Sequence, residues 1–172
     1  MRESRDNRAM AKRTSTGMQM IAVQWANAEF AALVELYVLG VPVPYPVQII
    51  GTELMEEFIG DATTRQAAPR LAQLRSDSAD LVDLWGQLVA ATALLARAGY
   101  AHGDLSAYNI LVHEGRLVLI DLPQIVDVVS NPQGRDFLAR DAHNVANWFA
   151  ARGLDVSGDE LTAELVAEAN IR

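Results

Sequence analysis

Apolar side chains fall at three- and four-residue spacing along three long stretches of this chain, and in short compact runs along four others. The first helical stretch runs from Ile21 to Leu39, where Trp25, Ala28, Ala32, Leu33, Leu36 and Tyr37 make a stripe that Gly40 stops. The second runs from about Ser78 to Ala98 on Leu81, Leu84, Trp85, Leu88, Thr92 and Leu95, and Gly99 ends it. The third spans about Gln133 to Ala151 with Phe137, Leu138, Val145, Trp148 and Phe149. Ser157-Gly158-Asp159-Glu160 has the form of a capping box and predicts a last short helix through Leu161 and Leu165. The short runs pair up. Val47–Ile50 and Leu54–Ile59 flank Gly51-Thr52-Glu53, and Ile110–Val112 and Leu117–Asp121 flank His113-Glu114-Gly115-Arg116, so each pair reads as a β-hairpin.

Between these elements the chain is punctuated by breakers. Val41-Pro42-Val43-Pro44-Tyr45-Pro46 predicts an extended connector, because proline excludes helix and central strand. Gly60–Ser76 is rich in loop-forming residues and predicts a hinge between two lobes. Residues 1–20 show no sustained period and are expected to form a tail or irregular lead-in.

Composition narrows the picture. A chain of 172 residues, half of them apolar, suits one domain or one lobe with part of a second. No apolar run approaches the ~18 residues of a membrane span. With no cysteine there is neither disulfide nor thiolate metal site, which fits a reducing, cytoplasmic setting. Three scattered histidines make a zinc site improbable and leave hard oxygen ligands for Mg²⁺. A net charge of −8 argues against nucleic acid as a main partner. Positive charge gathers at the start, on Arg2, Arg5, Arg8, Lys12 and Arg13; Lys12 is the sole lysine.

The second hairpin carries the candidate chemistry. Closing it about Gly115 brings Asn109, just before its first strand, beside Asp121, just after its second, with Asp104 in the loop leading in. His102-x-Asp104-x-x-x-x-Asn109 followed by a strand-borne aspartate is the spacing of kinase-class phosphoryl transfer. In that chemistry one Asp accepts the proton of the attacking hydroxyl, while Asn and the second Asp hold Mg²⁺ on the phosphates. Singly, Asp104 and Asn109 are common turn residues; it is the three at this spacing that point to a site. Two other helices add polar residues on apolar stripes. Glu29 lies four residues before Leu33, and Asp141 lies four after Phe137, where it is placed to bond backbone amides of the loop around His102–Asp104.

From about Trp25 onward the chain resembles the RIO-type atypical serine/threonine protein kinases. The segments that carry the likeness are Trp25–Phe30, Met55–Gly60 (M-E-E-F-I-G), Ala67–Leu71 (A-A-P-R-L), His102–Asn109, Ile120–Gln124 (I-D-L-P-Q) and Phe137–Phe149. The resemblance implies an α+β, protein-kinase-like fold: a mainly helical C-lobe with a catalytic β-hairpin over 61–172, a partial N-lobe over 21–60, and the lead-in 1–20. It implies Asp104 as catalytic base, Asn109 and Asp121 as Mg²⁺ ligands, and Asp121 as a group that can form a phospho-aspartate. Glu57, Phe58 and Ile59 would be the hinge that bonds the adenine of ATP through backbone groups, and Glu29 the helix carboxylate of the phosphate-lysine ion pair. Partners would be ATP and a protein substrate, or the chain itself by autophosphorylation.

Two departures qualify the expectation. Glu56 stands where the family usually has an apolar residue. Only about twenty residues precede the Glu29 helix, holding Gly17 and Lys12 but no Gly-rich loop or strand lysine. The expected form is thus the second half of an N-lobe plus a whole C-lobe, with a pseudokinase binding module as one alternative. A small-molecule phosphotransferase is the other, since His102-Gly103-Asp104-Leu105 with Asn109 also resembles aminoglycoside and choline kinases.

Overall fold

In the computed structural model, residues 15–75, 80–122 and 125–171 are described. Helix α1 (Ser15–Val38) leads into a hairpin of β1 (Pro46–Ile50) and β2 (Glu53–Glu56). The larger part follows: short strands β3 (Gly60–Asp61) and β4 (Gln66–Ala67), a 3-10 turn at Leu71–Gln73, then helix α2 (Leu81–Arg97) and β5 (Tyr100–Ala101). Hairpin β6 (Ile110–His113) with β7 (Arg116–Leu119) comes next, then β8 (Val126–Asp127), α3 (Gly134–Ala150) and α4 (Gly158–Glu168). This mixed α+β order is the predicted one, a helix and hairpin ahead of a mainly helical unit that contains a second hairpin.

Helix α1 departs most from expectation. It begins at Ser15 instead of Ile21, while residues 1–14 of the predicted lead-in lie outside the described residues. Its apolar residues are spread around all sides, so no stripe marks where it starts. Trp25, predicted on the buried stripe, is 76% exposed; the buried positions are Ala26, Leu33 and Leu36. That face passes through Glu29, which is half-buried.

The core lies in the larger unit. Asp80 caps α2 by accepting from the Asp83 amide, and Leu81, Leu84, Leu88, Leu95 and Ala96 are buried along it. Helix α3 buries Leu138, Val145 and Phe149, with Trp85 and Trp148 edge-on to the Phe149 ring. Ser157 caps α4 by accepting from the Glu160 amide, as its capping-box sequence predicts. The start of α3 has no room for a side chain, since a Cβ on Gly134 would stand 2.2 Å from the Val128 carbonyl oxygen. Arg97 on α2 pairs with Glu168 on α4 through both carboxylate oxygens.

Two further expectations are corrected. Strand β2 ends at Glu56, so residues 57–59 are not strand. The stretch expected to be loop-rich is ordered by hydrogen bonds over its described residues 60–75: Asp61 holds a turn by accepting from Thr63 and Thr64 amides, and the chain then runs alongside β6. The Pro69 carbonyl accepts from Val112, and the Ala107 carbonyl from Ala72. Among the described residues, no helix is long and apolar enough to cross a membrane.

Candidate phosphoryl-transfer site

Hairpin β6–β7 pairs Ile110 with Leu119 and Val112 with Leu117, and all four are buried. This period-two alternation pins the register, because a one-residue slip would turn every apolar side chain to the other face. The connection is a two-residue turn with Glu114 at φ 51° and Gly115 at φ 75°, the left-handed pair that matches the twist of the flanking strands. Gln87 on α2 braces it, donating to the Gly115 carbonyl and accepting from the Leu117 amide.

A ring of hydrogen bonds at the open end of this ribbon joins the predicted site residues. The Asn109 side chain donates to the Asp104 carbonyl at 2.9 Å. Its own carbonyl accepts from the Ile120 amide at 3.0 Å, and His102 Nε2 lies 3.0 Å from the Ile120 carbonyl. Asp104, Asn109 and the residue before Asp121 are thereby fixed to one another. Asp121 itself takes φ 65°, a left-handed conformation that a non-glycine residue adopts only where its surroundings impose it. The Asp104 and Asp121 side chains are exposed, whereas Asn109 is buried.

The loop is held from behind by α3. Asp141, buried, accepts from the amides of Gly103 at 2.8 Å and Leu105 at 3.0 Å, the role its position on the stripe predicts. Burial pushes its carboxyl above the usual range, while the two amides and the neighbouring His102 and Arg140 pull it back. Asn144 donates to the Leu105 carbonyl, and Arg140 donates to the Gly103 carbonyl. Gly103 sits at φ 86°, which suits a residue without a Cβ.

The other predicted residues lie on the smaller unit. The Glu57 amide donates to the Tyr45 carbonyl, and its side chain accepts from the Tyr45 amide. The Ile59 carbonyl accepts from Ala68. Within the described residues, the Glu57 carbonyl, both backbone groups of Phe58 and the Ile59 amide make no such bond, and the Phe58 side chain is exposed. Glu29 is held above its usual pKa by partial burial and then by the charge of Asp121. Glu56 is raised by desolvation, then by Glu29 and Asp121. Its surface is exposed, so the desolvation is partial and the repulsion is softened by solvent. Glu29, from the smaller unit, thus lies within the electrostatic reach of Asp121.

These residues suit a hard cation that is shared with a ligand. The hydrogen bond from the Asn109 amide nitrogen turns its oxygen away from Asp104, so Asn109 and Asp121 offer oxygen donors of the type Mg²⁺ takes. No three His, Asp or Glu converge as a metal cage among the described residues. Two residues that brace the site are missed by sequence reasoning: Gln87, and Arg70, whose guanidinium donates to the Tyr108 carbonyl. Gln87 left a faint signal, a polar residue between Leu84 and Leu88.

Comparison with known proteins identifies the family. The model of the RIO domain family matches residues 1–161. A RIO-type serine/threonine-protein kinase Rio1 of Haloferax volcanii is 39% identical over 137 residues, 80% of this chain and 46% of that protein. Serine/threonine-protein kinase RIO1 of Chaetomium thermophilum is 32% identical over 96% of this chain and 33% of its own length. The Rio1 kinase of Thermoplasma acidophilum is 31% identical over 80% of this chain and 69% of its own length. The chain thus spans about a third to a half of the first two relatives. Among solved structures, a crystal structure of WbdD aligns with 91% of this chain and 38% of that one at 17% identity, with a TM-score of 0.49, too distant to add to the assignment. On the match along nearly its whole length, the chain belongs to the RIO domain family.

Proposed function

We propose that this chain catalyses Mg²⁺-dependent phosphoryl transfer from ATP to a serine or threonine hydroxyl, on another protein or on itself, in the manner of a RIO-type kinase. The observation that carries the reading is the hydrogen-bonded ring joining Asp104, Asn109 and Ile120, which fixes a base and two oxygen donors at the mouth of one rigid hairpin. The exposed Asp104 carboxylate accepts the proton of the attacking hydroxyl. Asn109 and Asp121 hold the cation, and Glu57 and Ile59 offer the adenine one backbone acceptor and one donor. The cation, when bound, neutralises charge on the transferring phosphoryl group. Residues 21–60 act as the partial N-lobe and 61–172 as the C-lobe of this unit.

A second reading, a nucleotide-binding module with little turnover, has one observation in its favour. The carboxylates of Glu29, Glu56 and Asp121 repel one another, where a transferring phosphate would add further negative charge. Both readings predict binding of the nucleotide. Saturating ATP with Mg²⁺ should raise the melting temperature by about 5–10 °C, the shift that a ligand at a hundredfold excess over its Kd gives a chain of this size. Asp121→Ala should abolish the gain. No shift in the wild-type chain would rule out both.

A further inference from the structure

Helix α1 carries one face along its whole length, and only half of that face is covered. Leu36 and Leu33, 0% and 3% exposed, join the core. Steps of three and four residues continue their line toward the N-terminus through Glu29, Trp25, Ala22 and Met18. Glu29 is half-buried, and beyond it the face is bare: Trp25 is 76% exposed, Met18 is 52% exposed and Ala22 is exposed. The first half of α1 thus overhangs the body that its second half packs on.

Charge decides what can cover that face. No charged residue falls between Ser15 and Ala28, in a chain whose net charge is −8. Two copies repel wherever their acidic surfaces meet, and this uncharged helix face is where they can approach. Orientation follows from the flanks. Lys12 and Arg13 precede α1, while Glu29 and Glu35 are its only charged residues, both in its second half. Antiparallel pairing sets the positive residues ahead of one α1 against the negative half of the other, whereas parallel pairing sets like against like. The face also fits itself. Turned about a two-fold axis between Val23 and Gln24, Trp25 of one helix comes opposite Ala22 of the other, a large side chain over a small one.

We propose that the first half of α1 is a docking surface for a second copy of this chain, packed antiparallel on the same face of that copy around Trp25 and Ala22. Tryptophan is among the residue types that most often anchor such contacts. The uncharged stretch from Met18 to Ala28 is about 16 Å long, a small interface, so the dimer is weak and forms at micromolar concentration and above. The pair is closed, because a two-fold interface uses the same patch on both copies and leaves none over. It stands independently of the proposed catalysis.

Sedimentation velocity of the wild-type chain from about 1 to 200 μM is the test. The mass should rise from 18.7 kDa to twice that value and stop there. Trp25→Glu and Ala22→Glu each alter an exposed position, so both should fold like the wild type and stay monomeric over the range. The chain has no cysteine, so Val38→Cys, at an exposed position, accepts one spin label per copy. Antiparallel pairing puts the two labels about 40–45 Å apart, and parallel pairing puts them within about 20 Å. A wild-type chain that stays monomeric, a mass that climbs past the dimer, a dimer that survives Trp25→Glu, or labels at the shorter distance would overturn the proposal.

Discussion

The side-chain amide of Asn109 donates to the backbone carbonyl of Asp104 at 2.9 Å, so the residue proposed to hold the cation also holds the loop of the proposed base. One substitution should therefore affect two properties at once. Asn109→Ala leaves the Asp104 carbonyl without its partner in a partly buried setting, and should lower the unfolding free energy in urea by about 1–3 kcal/mol. It should also remove the stabilisation by Mg²⁺ and ATP. A variant that loses the second effect but keeps full stability would separate the two roles and contradict the coupling.

Asp141 anchors the same loop from α3. Asp141→Ala strands two buried amides, those of Gly103 and Leu105, at a cost of about 2–6 kcal/mol. Asp141→Asn keeps one acceptor oxygen and should cost less than the alanine. Chemical denaturation of the two variants side by side checks the order.

The role of Asp141 was legible in the sequence, and the reason is periodic. A carboxylate on an apolar helix face must find donors, and the loop at His102–Asp104 carries them. The β6–β7 hairpin was legible because its buried strands alternate and its turn contains Gly115. The start of α1 was not. Its apolar residues have no preferred side, so nothing in the pattern distinguishes Ser15–Met20 from an irregular lead-in, and Trp25 looked buried when it is exposed. Gln87 left only a faint signal and Arg70 none, for another reason: each acts on backbone groups far along the chain, a relation that the fold creates and spacing does not encode.

Glu29 makes a prediction about pH. Its folded pKa lies above the ordinary value of 4.5, through partial burial first and the charge of Asp121 second. A carboxyl shifted this way contributes its full stability below its unfolded pKa and loses it as the pH rises through the folded one. Glu29→Gln should therefore melt a few degrees above the wild type at neutral pH, and the gap should close as the pH falls towards the ordinary carboxylate range. The same variant should gain less from Mg²⁺ and ATP. A gap that does not change with pH would show that ionisation of Glu29 is not its cause.

The hairpin turn offers a gain in stability without touching the site. Glu114 holds φ 51° ahead of Gly115, and asparagine tolerates that conformation better than glutamate. Glu114→Asn should raise the unfolding free energy by about 0.5 kcal/mol, within the roughly 1–2 kcal/mol that the left-handed conformation costs an ordinary residue, and leave nucleotide binding unchanged.

The most direct measurement of the central proposal is transfer of label from γ-³²P ATP in the presence of Mg²⁺, to the chain itself and to a generic protein substrate. Label should appear with the wild type and disappear with Asp104→Ala; the exposed Asp104 side chain makes no hydrogen bond among the described residues. Label on an added aminoglycoside alone would move the chain to small-molecule phosphotransfer. No label at all from a wild-type chain that is stabilised by Mg²⁺ and ATP would make it a nucleotide-binding module, and would contradict the proposal that its Asp104 is a working base.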